Sequence, residues 1–387
     1  MGTAILDRLL VHCILFLIVS LLLIPSACAA ARHTNTTVDC LPSDRSSLLD
    51  IIHGVSFGMG IEIHDYPKAR GPPVSWKPGS NCCGWEGVTC DPKSGHVSGL
   101  DLSQRGINGK LSASLFNLTS LRTLDLSGNF FQGDFPQVGF ENLTQLTRLD
   151  LSLAGFSGQI PVGISLLTNL ISLDLSVAMV IYSPDGLYME GYYLSNYSQL
   201  CHPSFRTLVG NLSNLRDLRL DGVDMSSNLD WGSALSTSMP HLQVLGLSDC
   251  NLPGKAVLLY LISFIFKHYF LIYYIVYIFG VAGLLPTDIL TSHANLTLLD
   301  LTMNPMLSGN LPDFPSNNAL QSLSFFGMNL SGNIPDSISN LKHLTTLGFY
   351  EFGLTGMIPS SIGNLTQLTY LDLSENNFTG ITNSMVS

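Results

Sequence analysis

Basic residues are scarce in this chain. Its 387 residues include 17 Lys and Arg against 28 Asp and Glu, which gives a formal net charge of −11. Nucleic acids and anionic membrane surfaces attract chains with clustered positive charge, and this chain has little to offer them. The composition therefore disfavours both as partners.

Catalytic motifs are missing as well. The sequence contains no HExxH pair, no P-loop, no G-x-S-x-G elbow and no kinase signature. Gly58-Met59-Gly60 lacks the third glycine of a dinucleotide-binding loop. We therefore predict no enzyme activity, no catalytic residue, no cofactor and no metal site.

What the chain does contain is a repeated leucine pattern. The block Leu121–Asn129, of the form Leu-x-x-Leu-x-Leu, recurs with variations to the C-terminus, and Leu296, Leu320, Leu344 and Leu368 follow one another at intervals of 24 residues. A period of roughly 20–29 residues with this pattern is the signature of leucine-rich repeats. The sequence thus predicts a solenoid.

One turn of such a solenoid cannot bury its own leucines and is stabilised by stacking on the next turn. In the first regular strand, Leu124 and Leu126 are expected to point inward, with Thr123, Asp125 and Ser127 outward. The stacked strands should form a parallel sheet whose outward positions make one continuous concave surface. The predicted fold class is an α/β leucine-rich-repeat solenoid.

The second half of each repeat reads Gly-x-Ile-Pro, as in 158–161, 332–335 and 356–359. With these motifs the chain resembles the plant-specific leucine-rich repeats of extracellular receptors, over roughly residues 39–381. The resemblance covers the fold and the class of protein, and does not extend to the ligand.

Four cysteines lie near the start of the repeats: Cys40, then Cys82-Cys83-Gly-Trp, then Cys90. Sequence alone allows three pairings of the four. The segment resembles the N-terminal cap of plant leucine-rich-repeat receptors, and this resemblance implies Cys40–Cys82 and Cys83–Cys90 disulfides. A zinc site is the competing interpretation, which a secreted chain without histidine at ligand spacing disfavours.

Two further cysteines are treated separately. Cys250 occupies the repeat position that Asn129 and Asn304 occupy elsewhere, so a buried thiol is expected. Cys201 lies in an irregular stretch, and both a free thiol and a pairing with Cys250 remain open.

The N-terminus carries Arg8, an apolar run over 9–24 and small residues up to Ala31, which predicts a secretory signal peptide over residues 1–30. Nine N-x-S/T sequons predict a glycosylated extracellular chain. Their asparagines are Asn35, Asn117, Asn142, Asn196, Asn211, Asn295, Asn329, Asn364 and Asn377.

Two segments break the period. Residues 177–206 form an irregular, tyrosine-rich loop, which either packs on the flank of the solenoid or contacts a ligand. Residues 255–283 are hydrophobic enough to be scored as transmembrane, but repeats and sequons of the same type continue after them. Removing 255–283 restores a Gly-x-Leu-Pro junction, so we interpret the segment as translated non-coding sequence, with a tolerated insertion and a membrane helix as alternatives.

The predicted organisation is a signal peptide over 1–30, a cysteine-containing cap over 31–95, repeats over 96–254, the insertion, and repeats over 284–387. The last repeat lacks its Gly-x-Ile-Pro half. We expect the chain to be a truncated form of a longer protein.

The resemblance implies a kinase-less plant receptor-like protein of the disease-resistance type. Such a protein senses a peptide, protein or glycan ligand at the plasma membrane and signals through partner receptor kinases; the truncated chain itself would be secreted. A secreted inhibitor of microbial wall-degrading enzymes is the alternative, and the irregular loop argues against it. Candidate contact residues on the concave face are Phe326, Tyr350, Glu351, Arg122, Arg148, Arg216 and Arg219.

Overall fold

The computed structural model describes residues 38–58, 69–182, 189–193, 200–201, 204–253, 283–350 and 352–380. The predicted signal peptide, Glu351, and all but Gly283 of the predicted insertion lie outside these ranges, as do Asn35 and Asn196. Within the described residues, no helix is both long and apolar enough to cross a membrane.

The main sheet has eleven strands, one for each turn of the solenoid plus one from the cap. All neighbouring strands run parallel except the first pair, as expected for the predicted fold. The strands are Val88–Cys90, Val97–Asp101, Thr123–Asp125, Arg148–Asp150, Ser172–Asp174, Asp217–Arg219, Val244–Gly246, Leu298–Asp300, Ser322–Phe326, Thr346–Tyr350 and Tyr370–Asp372.

Leucines at the centres of these strands hold the turns together. Leu124, Leu149 and Leu173 are in register on three successive strands, and each is at most 1% exposed. Burying one leucine side chain contributes roughly 1.5–3 kcal/mol. Because each leucine packs on those of both neighbouring turns, this stability belongs to the stack, and the predicted inward and outward alternation is confirmed.

The second half of most repeats forms a further short strand, so the molecule has additional sheets beside the main one. Gly158 has φ of +77°, and a Cβ at this position would lie 2.8 Å from the Asp134 carboxylate, which explains the glycine of the repeat. These strands are Ile107–Gly109, Phe130–Phe131, Gly158–Gln159, Leu200–Cys201, Gly283–Leu284, Leu307–Asn310, Asn329–Gly332, Gly353–Met357 and Asn377–Gly380, and the cap strand Val55–Phe57 pairs antiparallel with the first of them.

Short helical turns return the chain to the next strand of the main sheet. The α-helices are Pro42–His53, Phe205–Val209, Trp231–Ser238 and Asp288–Ser292. The 3-10 turns are Cys82–Gly84, Ala113–Asn117, Phe140–Asn142, Val162–Leu166, Asp336–Asn340 and Ser360–Asn364.

Buried asparagines connect one turn to the next. Asn304 accepts hydrogen bonds from the backbone N–H groups of Cys250 and Leu252 at 3.2 and 3.0 Å, and donates to the carbonyls of Leu247 and Leu301 at 2.8 and 2.9 Å. One amide side chain thus satisfies four buried backbone groups. Asn129 makes the equivalent bonds in its own turn.

Cys250 is a fully buried free thiol at the equivalent position of its turn, as expected. Its Sγ donates to the carbonyl of Leu220 at 3.1 Å, which replaces one of the asparagine bonds. Burial raises the pKa of this thiol well above its usual value, so it stays protonated.

The cap contains the two disulfides that the resemblance implied, Cys40–Cys82 and Cys83–Cys90. Helix Pro42–His53 buries Leu48 and Ile51 over the first turn, and the antiparallel strand Val88–Cys90 covers the edge of the main sheet. The sulfur atoms of Cys40, Cys82 and Cys90 lie within 4.8 Å of one another. All three are bonded in the two disulfides, so they are not thiolate ligands for a metal ion.

Arg105 secures the cap to the first turn. It takes the place of the buried asparagine and is itself fully buried, with Nη1 donating to the Gly71 carbonyl at 3.1 Å and Nη2 2.9 Å from the Glu86 carboxylate. The sequence pattern did not single out this residue.

The irregular loop contains a hairpin, in which Ala178–Tyr182 pairs antiparallel with Met189–Tyr193. The chain then returns to the solenoid at Leu200–Cys201, which pairs in parallel with Gly158–Gln159. The extra residues are therefore inserted between the first and second strands of a single repeat. The side chains of 178–203, including Cys201, lie outside the description.

The repeat that contains Pro253 is completed by the residues from Gly283 onward. Val244–Gly246 pairs directly with Leu298–Asp300, and Gly283–Leu284 takes its expected place beside Leu307–Asn310. Leu285 and Leu311 are equivalent in their repeats and both buried. One complete turn is thus formed without residues 254–282. Because residues 254 and 283 are both glycine, removing 254–282 or 255–283 leaves the same sequence.

Candidate ligand-binding face

The outward side of the main sheet carries a recurring contact that we call the Asp–Ser clasp. Asp125 Oδ1 accepts hydrogen bonds from the backbone N–H and the hydroxyl of Ser127, at 3.0 and 2.7 Å. Asp150 and Ser152 repeat it at 3.1 and 2.7 Å. The same pattern recurs at Asp101 with Ser103 and at Asp372 with Ser374. The clasp satisfies the N–H group where each strand ends, so these aspartates have a structural role.

Clasped carboxylates on neighbouring strands affect one another. Burial, followed by repulsion from Asp150, raises the pKa of Asp174 to about 6, and burial with the charges of Asp150 and Asp101 also raises the pKa of Asp125. At Asp101 burial is outweighed by bonds from Ser103 and the nearby Arg70 guanidinium, so its pKa is lowered. The first half of the face therefore carries a continuous negative stripe.

The clasp is rearranged in the strand Asp217–Arg219. Arg219 takes the aspartate position, and Asp221 takes the serine position. Asp221 accepts the Ser248 N–H of the next turn at 2.8 Å and the Ser176 hydroxyl of the previous turn at 3.4 Å. Gly246 makes room for it, since a Cβ there would lie 2.8 Å from Asp221 Oδ2.

The strand Val244–Gly246 has Gly246 at the usual aspartate position. Asp221 therefore accepts the Ser248 N–H, whose equivalent in the clasped turns is accepted by an aspartate of the same strand. Burial, then repulsion from Asp300, raises the pKa of Asp221 to about 7, although the Ser248 N–H opposes this. No sequence signal singled out this carboxylate, because it stands two residues from the usual position.

The four predicted arginines separate into two pairs. Arg148 and Arg219 lie on the sheet face near Asp217; Arg219 Nε is 3.3 Å from Asp217 Oδ1, and both arginines oppose the burial that raises the Asp217 pKa. Arg122 and Arg216 each precede their strands and are exposed at the edge of the sheet.

The two predicted aromatic residues lie side by side. Phe326 and Tyr350 are in register on adjacent strands, with ring centroids 5.1 Å apart and an interplanar angle of 26°. Both are half-buried. In these two turns Ser324 and Gly348 replace the clasped aspartate, so the carboxylates are missing where the rings appear. We call these four residues the aromatic shelf.

The described outward positions of the two strands that carry the aromatic shelf have no formal charge, whereas Asp300 and Asp372 lie in register with Ser324 and Gly348 on the two flanking strands. The outward residues beside it on the two strands are polar and neutral, namely Gln321, Ser322, Thr345 and Thr346. These two strands therefore interrupt the row of outward aspartates between Asp300 and Asp372. Glu351, which was predicted to contribute, lies outside the described residues.

A shallow depression of about 220 Å3 lies at the opposite end of the face, beside the cap. Asp101, Thr123, Asp125 and Arg148 are among its lining residues, and Gly99 opens its floor. Sequence reasoning missed this feature, although Gly99 marks it by standing at an outward strand position where the next turn has Thr123.

All seven described sequon asparagines are exposed. Asn117, Asn142, Asn211 and Asn364 each lie four residues before the first leucine of a repeat, on the turns that lead into the main sheet, and Asn295 directly precedes Leu296. Asn329 and Asn377 begin strands of the second sheet. None of the seven lies on the outward face of the main sheet.

Comparison with known proteins places these features in a family. A leucine-rich-repeat N-terminal domain model matches residues 41–91, and a leucine-rich-repeat model matches residues 120–143, 319–341 and 367–387. Receptor-like protein 6 of Arabidopsis thaliana is 35% identical over 324 residues, which is 80% of this chain and 28% of that protein. The chain is a leucine-rich-repeat protein of the plant receptor-like type.

Receptor-like protein Cf-9 of Solanum pimpinellifolium is also similar, with 31% identity over 73% of this chain. Both relatives are much longer, since the chain spans 28% of the first and 27% of the second. The matching family models describe repeats and a cap, and neither describes a catalytic domain.

Two solved plant receptor structures share the fold. The ectodomain of the membrane receptor kinase GASSHO1/SCHENGEN3 from Arabidopsis thaliana, in complex with CASPARIAN STRIP INTEGRITY FACTOR 2, matches with a TM-score of 0.57 and 25% identity, covering 88% of this chain and 33% of that one. The plant peptide hormone receptor RGFR1 in complex with RGF2 matches with a TM-score of 0.53 and 26% identity, covering 77% and 42%.

Proposed function

We propose that this chain is the ligand-recognition part of a kinase-less plant cell-surface receptor-like protein. It binds a pathogen- or self-derived ligand on the concave face and signals through a partner receptor kinase. The similarity to receptor-like proteins supports the class, and the solved peptide hormone receptor RGFR1 favours a peptide over a protein or a glycan as the ligand.

The aromatic shelf is the observation that carries this proposal. In the clasped turns the outward carboxylate and hydroxyl bond each other, which leaves less of their hydrogen-bonding capacity for a ligand. At Phe326 and Tyr350 the clasp is lost and two partly exposed rings replace it. Aromatic side chains of this kind supply much of the binding energy at protein interfaces.

We also place the protein in the secretory pathway, with its repeats outside the cell. The predicted signal peptide and the exposed sequons support this location. Treating secreted protein with an N-glycosidase should lower its mass by several glycans. A chain that is secreted without glycans would contradict the glycosylation part of the proposal.

Ligand capture tests the proposal directly. The wild-type chain and a Phe326→Ala plus Tyr350→Ala variant would each be incubated with extracellular fluid from infected leaves, and retained molecules would be identified by mass spectrometry and titrated as pure compounds. We expect the double variant to bind at least about tenfold more weakly, because truncating a hot-spot aromatic costs about 2 kcal/mol or more. Phe130→Ala, at a half-buried aromatic on the second sheet, is the matched control.

Equal binding by the double variant and wild type would overturn the role of the aromatic shelf. A purified ligand that recruits a receptor-kinase ectodomain to the wild-type chain supports signalling through a partner. Direct inhibition of a microbial wall-degrading enzyme by the purified chain, without such recruitment, would instead favour the inhibitor.

A further inference from the structure

The depression beside the cap has the dimensions of a single residue. Its volume is about 220 Å3, which is of the same order as the roughly 150 Å3 of a protein cavity that holds one benzene molecule. Residues from four successive strands of the main sheet line it, from Val88–Cys90 to Arg148–Asp150. It is therefore suited to one side chain or one chain end of a ligand, and not to a folded domain.

A glycine keeps its floor open. Gly99 occupies the outward position that Thr123 and Arg148 occupy on the next two strands. A Cβ on Gly99 would lie 2.8 Å from Thr123 Oγ1 and 3.1 Å from Thr89 Cβ, so a side chain there would collide with both threonines. The absence of a Gly99 side chain lets the two threonine side chains pack close above it, and both are exposed beside the depression.

Two opposite charges border this space without contacting each other. Ser127 donates two hydrogen bonds to Asp125 Oδ1, while Asp125 Oδ2 has no hydrogen-bond partner among the described residues. The guanidinium of Arg148 likewise makes no hydrogen bond or ion pair with any described residue, and its nearest influence is a longer-range attraction to Asp217. Both groups are thus available to a ligand.

The other carboxylate of the depression is already engaged. Asp101 Oδ1 holds Ser103, and Asp101 Oδ2 lies 3.3 Å from Arg70 Nη1. Asp125 has no such cation, and burial with the neighbouring negative charges raises its pKa. A positive group placed at Asp125 would relieve this repulsion, whereas a positive group at Asp101 would add to Arg70.

We propose that this depression binds the free amino terminus of an extended peptide. The α-ammonium lies against Asp125 Oδ2, and the first carbonyl oxygen of the peptide accepts from the Arg148 guanidinium. An amino terminus carries a cation and a carbonyl acceptor within one residue, which matches the cation acceptor and the donor that border this space. A lysine ammonium offers the same cation at Asp125 without a fixed carbonyl beside it. The inference rests on the proposed recognition of a peptide.

Three short peptides separate these possibilities. Ala-Ala-Ala-amide carries a free amino terminus, N-acetyl-Ala-Ala-Ala-amide carries no cation, and N-acetyl-Lys-Ala-Ala-amide carries only the lysine ammonium. Their affinities for the full chain would be measured by saturation-transfer NMR, which detects weak binding. We expect the first peptide to bind at least tenfold more tightly than the other two.

Substitutions in the depression give the second readout. Asp125→Asn keeps the shape and the Ser127 contact but removes the charge, and should weaken the first peptide at least tenfold. Arg148→Gln should also weaken it, because the donor to the peptide carbonyl is shortened. Asp313→Asn, at an exposed carboxylate outside the main sheet, should leave the affinity unchanged.

Equal binding of the acetylated and free peptides would overturn the proposal, and so would an unchanged affinity of Asp125→Asn. Tight binding of the lysine peptide would overturn the assignment of an amino terminus and would show that a lysine side chain occupies the depression. Tighter binding by Arg148→Gln would contradict the carbonyl contact. The Phe326→Ala plus Tyr350→Ala variant should bind the tripeptide normally, so failure of this subsite and failure of the proposed function are distinguishable.

Discussion

Replacing Asp221 with asparagine should make the protein more stable at neutral pH and change how its stability depends on pH. The carboxyl of Asp221 has a pKa of about 7 in the folded chain, against an ordinary value of 3.8 for aspartate. Below the lower value the group is protonated in both states. As the pH rises from about 4 to 7 the unfolded chain releases its proton while the folded chain retains it, so the free energy of unfolding falls.

The size of the effect follows from the shift. About three pKa units correspond to roughly 4 kcal/mol at about 1.36 kcal/mol per unit, and because the side chain is only partly buried, solvent screening reduces the expected value to about 2–3 kcal/mol. Asparagine keeps an oxygen that accepts the Ser248 N–H. The variant should therefore match wild type near pH 4 and exceed it by about 2–3 kcal/mol near pH 8.

Urea unfolding of the secreted chain at pH 4, 5.5, 7 and 8 measures this difference. Asp174 and Asp249, with pKa values raised to about 6, also make the wild type less stable as the pH rises. The difference between variant and wild type isolates Asp221, and Asp313→Asn serves as an exposed control. If Asp221→Asn is less stable than wild type at every pH, the carboxylate contributes more through its hydrogen bonds than it costs through burial, and the reasoning fails.

Three further predictions concern the scaffold. Gly246→Ala should destabilise the chain by about 1–3 kcal/mol, since its Cβ would collide with the Asp221 carboxylate, and the loss should largely disappear in an Asp221→Ala background when both are compared by urea unfolding. Asn304→Ala should cost about 2–4 kcal/mol by leaving buried backbone groups of two turns unpaired, whereas Asn333→Ala, at an exposed position directly after the strand Asn329–Gly332, should cost under about 0.5 kcal/mol. A chain without residues 254–282 should be secreted and show the same far-ultraviolet circular dichroism per repeat, because Gly283 already occupies the repeat frame; failure of that chain to fold would show that the segment is needed.

Much of the fold follows from the sequence because leucine-rich repeats are stabilised by local contacts that recur. The spacing of Leu124, Leu149 and Leu173 predicted which residues share a layer, and the structure places them in register. Cys250 could be assigned to the core for the same reason. The disulfide pairing came from the resemblance, since spacing alone allowed three arrangements.

The details of the concave face were harder to predict because they depend on neighbouring turns. Asp221 accepts a hydrogen bond from Ser248, 27 positions later, and needs the space that Gly246 leaves. Each of these residues is compatible with its own repeat, so neither stands out when a single repeat is read alone. Arg105 could not be recognised as buried, because arginine is rarely found fully buried without a partner, and its partner Glu86 lies in the cap. The register of Phe326 and Tyr350 was predictable, and their role in binding remains a prediction.

The clasp offers a physical criterion for choosing ligand-contacting positions on this face. A carboxylate that already accepts two hydrogen bonds from its own strand has less to gain from a ligand, and breaking the clasp would expose a strand-end N–H group. Positions free of that constraint include Ser324 and Gly348, where the clasp is absent, and Asp125, where the clasp leaves Oδ2 without a hydrogen-bond partner among the described residues. These positions lie near the two ends of the main sheet, seven strands apart from Thr123–Asp125 to Thr346–Tyr350, which at about 4.8 Å per strand is roughly 34 Å. An extended peptide of about ten residues spans that distance, so one ligand is long enough to occupy both the depression and the aromatic shelf.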